Sequence, residues 1–596
     1  MIQLRTYTTN DRCPTQHAML IVWGHFARTL GLLDRLAPLP IHQKTVTHAP
    51  HQKIVEFLIG LLSGMEYLTD LSSGPSPLVR DHAVASAWQL ETFAAASTVS
   101  RTLKASDRQT VLALRAALDA VGQPFLDRAI AEMRERHQPL LLDADLTGRP
   151  VSSTSRTYPD AAFGYMDGEL RLGYQLAEIC VQTTLFGRQW LSARQHPGST
   201  VSAPCLLELI ADAERRLNCH PRRRTELVEQ RLAASSQTIA EEERLAAMQE
   251  QRSLQQTQRL ERLAREIQTA QAQIGHLQAG PLSSRHGGPY SQLSRLQKQV
   301  AGWQRQQERA TAQRVHADAV ESGHRARAQI LRHARDQLQT YLERLCQENA
   351  DEATLLPCTI RLDAGFSSGE NLTALIEKGY DLETKSGNDA LLSALRKQVT
   401  NTTVWARVGK NAEMIGWTNY RIHTCPYPLT VALERFSTPR GRLHAVLIRN
   451  QETPQTPCPD LAEWFEAYNA RQTIEAGNKE EKTTFKVQHL MSRSAAGIEI
   501  QALLTVFAAN FVRWVSAWVR ERVESSSPQF ERILNSPKRL VRVAANSPAT
   551  VDQTDVCVRV CFSPLSGLNG VVVCVSGTPD LRLSLPVLAN HQFSSV

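Results

Sequence analysis

The stretch from Tyr468 to Lys482 carries side chains that are suited to chemistry on phosphate. On a helix that turns ~100° per residue, Arg471 lies ~300° from Tyr468, Glu475 ~340°, Lys482 ~320° and Lys479 ~20°. This spacing predicts one shared face, where a carboxylate can hold a cation while the basic groups and the phenol hold phosphate oxygens. The alternative is an ordinary solvated helix face of mixed charge.

Two further acidic positions follow apolar runs that are typical of strands. One run leads into Asp143 and Asp145, which alternation along a strand places on the same face. The other run ends in Asp363 and a glycine turn. Together with Glu475, Asp145 and Asp363 are the predicted catalytic and metal-binding residues, able to hold two Mg²⁺ (or Mn²⁺) ions roughly 3.5–4 Å apart. Asp143 is expected to be a supporting neighbour of these acids or, as the alternative, a direct ligand.

The spacing Tyr-x2-Arg-x3-Glu-x6-Lys over 468–482 resembles the YREK signature of DDE transposases of bacterial insertion sequences. The residues that begin at Asp145 and at Asp363 resemble the first and second Asp motifs of that family. The resemblance implies an RNase H-like core and Mg²⁺-dependent cleavage and strand transfer of DNA. It also implies DNA partners, namely terminal inverted repeats and target DNA, and a homodimer in the DNA complex.

By the same resemblance, several side chains are expected to contact DNA. They are Tyr468, Arg471, Lys479, Lys482, Lys385 and Trp417. Family members stack a tryptophan on an extruded base, and either Trp417 or Trp405 could do so here. The alternative for each tryptophan is a plain core position.

The predicted fold class is α/β, an RNase H-like mixed sheet flanked by helices and interrupted by two insertions. Heptad spacing through Leu260, Ile267 and Ile274 predicts a long antiparallel coiled-coil hairpin with its tip near 279–290. Dimerisation, DNA contact and a spacer role all stay open for it. The predicted segments are a helical N-terminal domain for DNA binding or dimerisation (1–135), core parts (136–220, 351–387, 448–522), the hairpin (221–350), a β-rich insertion (388–447) and a C-terminal tail (523–596).

The composition of the chain argues against a zinc site and against a membrane-spanning segment. The chain has 596 residues, a net charge of +8 and 11 cysteines, which form no CxxC pair, so a zinc site is not expected. The apolar run 498–519 is interrupted by polar residues, which favours a buried helix over a membrane span. We expect a soluble cytosolic protein without a small-molecule cofactor. The alternatives are a related nuclease without strand transfer and a non-catalytic DNA-binding protein derived from a transposase.

Overall fold

The computed structural model describes residues 12–43, 47–279, 289–422, 424–439, 441–451, 457–553 and 557–576. The chain divides into two compact units. The larger comprises Met1–Arg222 and Ala353–Val596, and the smaller comprises Arg223–Glu352.

The first part of the larger unit is a strand followed by helices and then by an antiparallel sheet. The first elements are β1 (Arg12–Thr15), α1 (Ala18–Thr29), α2 (Leu32–Leu36), α3 (Pro50–Ser63), α4 (His82–Ala87), α5 (Ala96–Ala105) and α6 (Arg108–Glu135). The next are β2 (Leu140–Pro150), β3 (Ala162–Met166), β4 (Glu169–Thr183), β5 (Gly187–Pro197) and α7 (Leu206–Leu217). Asp107 fixes the start of the longest of these helices, since its carboxylate accepts from the Thr110 amide at 2.8 Å.

The smaller unit contains two long helices, α8 (Thr225–Ala279) and α9 (Pro289–Glu348). Ile267 and Ala270 pack with Val300, while Val228 packs with Leu345, so the two helices run antiparallel. Apolar side chains that recur at heptad spacing form the buried contact between the two helices, which we call the seam. The predicted tip falls mostly on 280–288, which lies outside the described residues.

The chain then completes the sheet and the helices that cover it. These elements are β6 (Cys358–Leu362), α10 (Gly369–Glu377), β7 (Asp381–Lys385), α11 (Asp389–Gln398), β8 (Ala406–Arg407), β9 (Ala412–Tyr420), β10 (Leu429–Thr438), β11 (Gly441–Asn450), α12 (Leu461–Asn469), α13 (Gln472–Thr484) and α14 (Ala495–Arg520). The strand order is β3-β4-β2-β6-β7-β11-β10-β9-β8, with β5 also paired to β4. β2, β6 and β7 are mutually parallel and the other pairings are antiparallel, which makes a mixed sheet flanked by helices.

The region predicted as a β-rich insertion is continuous with this sheet. Leu447 of β11 pairs with Lys385 of β7, and β10, β9 and β8 follow outward. Strand β4 runs unbroken through Glu178, which is 1% exposed. Helix α11 lies within the segment predicted to be β-rich, and no helix was predicted there. Strand β5 was not predicted either.

The segment predicted as a tail is folded over 523–576. It contains β12 (Val523–Ser525), α15 (Pro528–Leu534), α16 (Pro537–Arg539), β13 (Ala549–Gln553), β14 (Cys557–Phe562) and β15 (Val572–Ser576). Strands β14 and β15 pair antiparallel as a hairpin. These strands join the N-terminal β1 in a five-stranded sheet of order β1-β13-β14-β15-β12. Apolar side chains of this sheet, α1, α3 and α14 share one core.

Helix α14 is long and apolar enough to span a membrane by composition alone. However, 78% of its most apolar window is buried inside the protein. This agrees with the prediction of a buried helix over this run.

Candidate active site

Asp145 and Asp363 lie at the same edge of the central sheet. The parallel pairing of β2 with β6 ends at Asp143 and Arg361, so each aspartate lies just beyond the paired region. Asp363 directly follows β6, and its Oδ1 accepts from the Gly365 amide at 3.0 Å. Asp145 was expected at a strand end, but β2 continues to Pro150 because it pairs with β4 along its whole length.

The stretch 468–482 was predicted as one helix, and that prediction is wrong. Tyr468 lies on α12, which ends at Asn469, while Glu475 lies on α13, which begins at Gln472. The Tyr468 hydroxyl donates to the Leu362 carbonyl at 3.0 Å and is thereby held against the end of β6. Burial raises the pKa of this phenol. Tyr468 is 6% exposed and does not share an open face with Glu475.

Arg471, at the turn between α12 and α13, is the centre of the acidic site. Its guanidinium is 2.9 Å from Asp145 Oδ1 and 3.3 Å from Glu475 Oε1. Burial and the neighbouring Asp145 raise the pKa of Asp363, and the positive charge of Arg471 partly offsets this. The three predicted acids therefore interact with one positive charge, although they come from three distant parts of the sequence.

Asn478 holds the other oxygen of Asp145. Its side-chain amide donates to Asp145 Oδ2 and, at 3.0 Å, to Thr147 Oγ1. The residue was missed from the sequence. It lies three positions after Glu475 and so projects from the same side of α13, which was the available signal.

Asp143 is buried and fully paired. Arg361 donates to its two oxygens at 2.7 and 2.8 Å, and the same guanidinium donates to the Ala467 carbonyl at 2.8 Å. With 0% exposure, Asp143 is enclosed in the structure. Its contacts link β2, β6 and α12, which fits a supporting neighbour better than a metal ligand.

A cavity of about 1020 Å³ opens beside these acids. Asp145, Glu475, Asn478, Lys479 and Lys482 contribute to its lining. A phosphodiester backbone, with one negative charge on each phosphate, would meet two lysines and a carboxylate in this lining.

The opposite wall is the β3–β4 hairpin. Phe163, Tyr165 and Leu170 line the cavity and are 54%, 78% and 63% exposed. The hairpin turn has Asp167 at φ 52° and Gly168 at φ 83°, and Lys482 Nζ lies 3.5 Å from Asp167 Oδ1. The cavity lining therefore combines an apolar, partly aromatic surface with basic side chains.

The remaining predicted DNA contacts lie elsewhere. Lys385 Nζ is 3.8 Å from buried Glu434 and 5.5 Å from the Tyr468 ring centre. The guanidinium carbon of Arg435 lies 4.0 Å from the centre of the Trp405 ring. Trp417, on β9, pairs with Val431 of β10. None of these three predicted side chains lines the cavity. Their roles in DNA binding stay predictions.

A second pair of carboxylates lies behind Asp145. Glu178 is the cross-strand partner of Asp145, and Glu481 comes from α13; both are 1% exposed. Burial and the proximity of Glu481 raise the pKa of Glu178 well above its usual range. Burial also raises the pKa of Glu481 to about 7. Because two buried carboxylates do not both ionise side by side, we expect the pair to retain one proton at neutral pH.

The donor set suits a hard divalent cation, since Asp145, Asp363 and Glu475 offer only carboxylate oxygens. Among the residues that the structure describes, no three acidic, histidine or cysteine side chains are grouped closely enough to hold a metal ion. Arg471 occupies the position between the acids. Its Nε and the Oδ1 of Asn478 are buried without a hydrogen-bond partner. The donor chemistry of the acids therefore fits a metal, but their present spacing does not: Arg471 would have to leave and the three carboxylates would have to come closer together.

Comparisons with known proteins find a distant structural likeness. No protein-family model matches the chain, and no curated protein matches it. Among solved structures, it is similar to a piggyBac transposase in a cryo-EM synaptic complex with hairpin DNA. The identity is 9% and the TM-score 0.37, over 90% of this chain and 83% of that chain. A likeness of this size does not define an activity for the present chain.

Proposed function

We propose that this chain is a DDE-type transposase that cleaves DNA at transposon ends and joins it to target DNA. The observation that carries the proposal is the convergence of Asp145, Asp363 and Glu475 on the guanidinium of Arg471. Carboxylates from two strands and a helix meet there, as a site built for phosphoryl transfer requires.

The proposed core is RNase H-like. Support comes from the mixed sheet, in which the antiparallel strands β5, β4 and β2 are followed by the parallel strands β6 and β7. The acids lie at the carboxyl edge of the parallel pairing, which is where open α/β sheets place their sites.

Asp145, Asp363 and Glu475 would hold Mg²⁺ or Mn²⁺ after Arg471 turns away from Asp145. Such ions activate a water or a DNA 3′-hydroxyl and stabilise the leaving oxygen. Lys479 and Lys482 would bind phosphate oxygens along the same wall. Asn478 would keep Asp145 oriented.

The substrate proposed for this cavity is DNA: the terminal inverted repeats first and target DNA second. Phe163 and Tyr165 support this assignment, because exposed rings beside lysines suit unstacked bases next to a phosphate backbone. A homodimer on DNA and action in the cytosol are part of the proposal. They rest on the sequence resemblance.

The test uses DNA that flanks the gene as the source of the terminal repeats. Glu475→Gln should abolish Mg²⁺-dependent cleavage of a duplex carrying one repeat while its binding to that duplex persists. Glu466→Gln, on the exposed side of α12, is the matched control and should cleave normally. Cleavage by Glu475→Gln at the unmodified rate would refute the assignment.

A second assay separates a transposase from a nuclease with the same site. Pre-cleaved ends with a free 3′-hydroxyl are incubated with plasmid DNA, and joined products are counted. Joining supports the transposase. Cleavage without any joining would favour the nuclease.

A further inference from the structure

The charge of the smaller unit is unevenly distributed along its two helices. Residues 252–314 contain ten basic and three acidic residues, a net charge of +7. The rest of the unit, 223–251 and 315–352, contains nine basic and thirteen acidic residues, a net charge of −4. The distal half of the hairpin thus carries a charge close to the +8 of the whole chain.

Four of the distal basic residues form a stripe on α9. At ~100° per residue, Arg295, Lys298, Arg305 and Arg309 fall within ~80° of one another. The stripe spans ~21 Å, at 1.5 Å per residue. All four are exposed, and they lie on the side of the helix away from the seam residue Val300.

Ion pairing differs between the two halves. In the proximal half, arginines of α9 pair with glutamates of α8: Arg325 lies 3.1 Å from Glu250, and Arg332 pairs with Glu243. In the distal half, as far as the structure describes it, the ion pair between a basic side chain and a carboxylate is Arg262 with Glu266, at 2.9 Å. No carboxylate in the described part of the chain therefore pairs with the basic side chains of the stripe.

A depression lies along the stripe. It has a volume of about 460 Å³ and is lined by Ser291, Ser294, Arg295, Lys298 and Gln299. Every one of these side chains can donate a hydrogen bond to an anionic oxygen. A row of cations with polar neighbours and no apolar centre suits a phosphate backbone more than a protein partner.

We infer that the distal half of the helical hairpin binds duplex DNA through its phosphates, independently of base sequence. This surface lies outside the cavity described above and depends on the proposed function only for the choice of DNA as the polyanion. A ~21 Å stripe covers about six phosphate steps of one strand, at ~3.4 Å each. It would add affinity for DNA of any sequence, and that affinity would fall steeply with salt.

The test is the salt dependence of binding to a duplex of random sequence. The full chain carries Glu475→Gln throughout, so that cleavage does not disturb the titration. The stripe variant combines Arg295→Gln, Lys298→Gln and Arg309→Gln, since glutamine keeps a similar helix propensity. We expect the slope of log K against log salt to fall in magnitude by about 2–3, and affinity to fall at least about tenfold near 0.1 M salt.

The matched control removes the same charge from the proximal half. Arg325→Gln, Arg335→Gln and Arg344→Gln replace arginines, two exposed and one half-buried, that are paired with Glu250, Asp336 and Glu348. The control slope should equal the parent slope. Helicity and thermal unfolding of both variants confirm that the hairpin still folds.

Three outcomes would overturn the inference. The first is an unchanged slope in the stripe variant, and the second is an equal fall of the slope in the control variant. The third is a stripe variant that keeps the DNA slope but loses self-association or pelleting with anionic phosphatidylserine vesicles. Restoring Glu475 separates this surface from the cavity: the stripe variant should still cleave saturating DNA. Absence of cleavage in every protein would count against the proposed function and leave the slope result standing.

Discussion

Asp143 and Asp145 are two residues apart on one strand, yet each is held by a different arginine. Arg361 pairs with Asp143 at 2.7 Å from within the sheet, and Arg471 pairs with Asp145 at 2.9 Å from the turn before α13. Arg361 comes from a strand that cannot shift without breaking the sheet. Arg471 comes from a helix boundary, where a side chain can turn away. The Asp143–Arg361 pair is therefore suited to holding the sheet together, whereas the Asp145–Arg471 pair can open and let Asp145 take another partner.

This difference predicts opposite consequences for two matched substitutions. Asp143→Asn should lower the free energy of unfolding by about 3–5 kcal/mol, because it leaves the buried charge of Arg361 without its partner. Asp145→Asn should abolish DNA cleavage at a smaller cost in stability, since Asp145 borders the cavity. Urea unfolding and the cleavage assay, run on both proteins, measure the two effects. Equal destabilisation by both would contradict the division of roles.

Arg471 should compete with divalent cations for the acids. Arg471→Gln removes the guanidinium from between Asp145 and Glu475, so without metal the protein should melt at a lower temperature. Added Mg²⁺ should raise its Tm more than it raises that of the parent protein, because binding to the folded state stabilises it. Thermal scans in EDTA and in Mg²⁺ test this, with exposed Arg493→Gln as the control. A smaller Mg²⁺ effect in Arg471→Gln would refute the competition.

Gly477 is predicted to be required inside α13. A Cβ at this position would lie 2.2 Å from Cζ of Arg188, whose guanidinium is held by the Thr473 carbonyl and lies over the Trp190 ring. Gly477→Ala should therefore destabilise the protein by about 1–3 kcal/mol. Gly275→Ala on α8, where nothing lies within 4 Å, should instead stabilise it by up to about 1 kcal/mol. Chemical denaturation of both variants gives the comparison, and a stabilising Gly477→Ala would show that Arg188 moves freely.

Glu481 predicts a dependence of stability on pH. Its pKa is raised to about 7 in the folded protein, from 4.5. A raised pKa contributes stability that is fully present below pH 4.5 and is lost as pH rises through 7. Glu481→Gln, which mimics the protonated acid, should match the parent near pH 4 and exceed it by about 1–3 kcal/mol at pH 8. The free energy of unfolding, measured across this pH range, tests whether Glu481 stabilises or destabilises the protein as pH rises. Glu466→Gln is the control variant and should show the same pH dependence as the parent. A parent protein that gains stability between pH 5 and 8 through this residue would contradict it.

Spacing in the sequence singled out Asp145, Asp363 and Glu475, which the structure brings to one arginine, but it did not give their surroundings. Each acid follows a recognisable local pattern. Asn478 has no such signal, because an asparagine on a helix face is ordinary until the partner strand is known. The break before α13 was missed because Tyr468 and Glu475 fit one helical face numerically.

Long-range pairing explains the other differences. The strand-like pieces after residue 388 could not be assigned to a sheet from periodicity, because only the Leu447–Lys385 pairing decides it. The burial of Glu178 could not be predicted either, since an acidic side chain is rarely buried in a strand unless a second group faces it. That second group, Glu481, lies about three hundred positions later in the chain.

The pairing of β1 with β13 joins Arg12–Thr15 to Ala549–Gln553. Strand β1 therefore has no neighbour in this sheet until residues more than five hundred positions later have been translated. Helices α1 and α3 share their core with β13, β14 and β15, so they too await residues 549–576. A nascent chain interrupted before these residues would leave the apolar faces of both helices exposed.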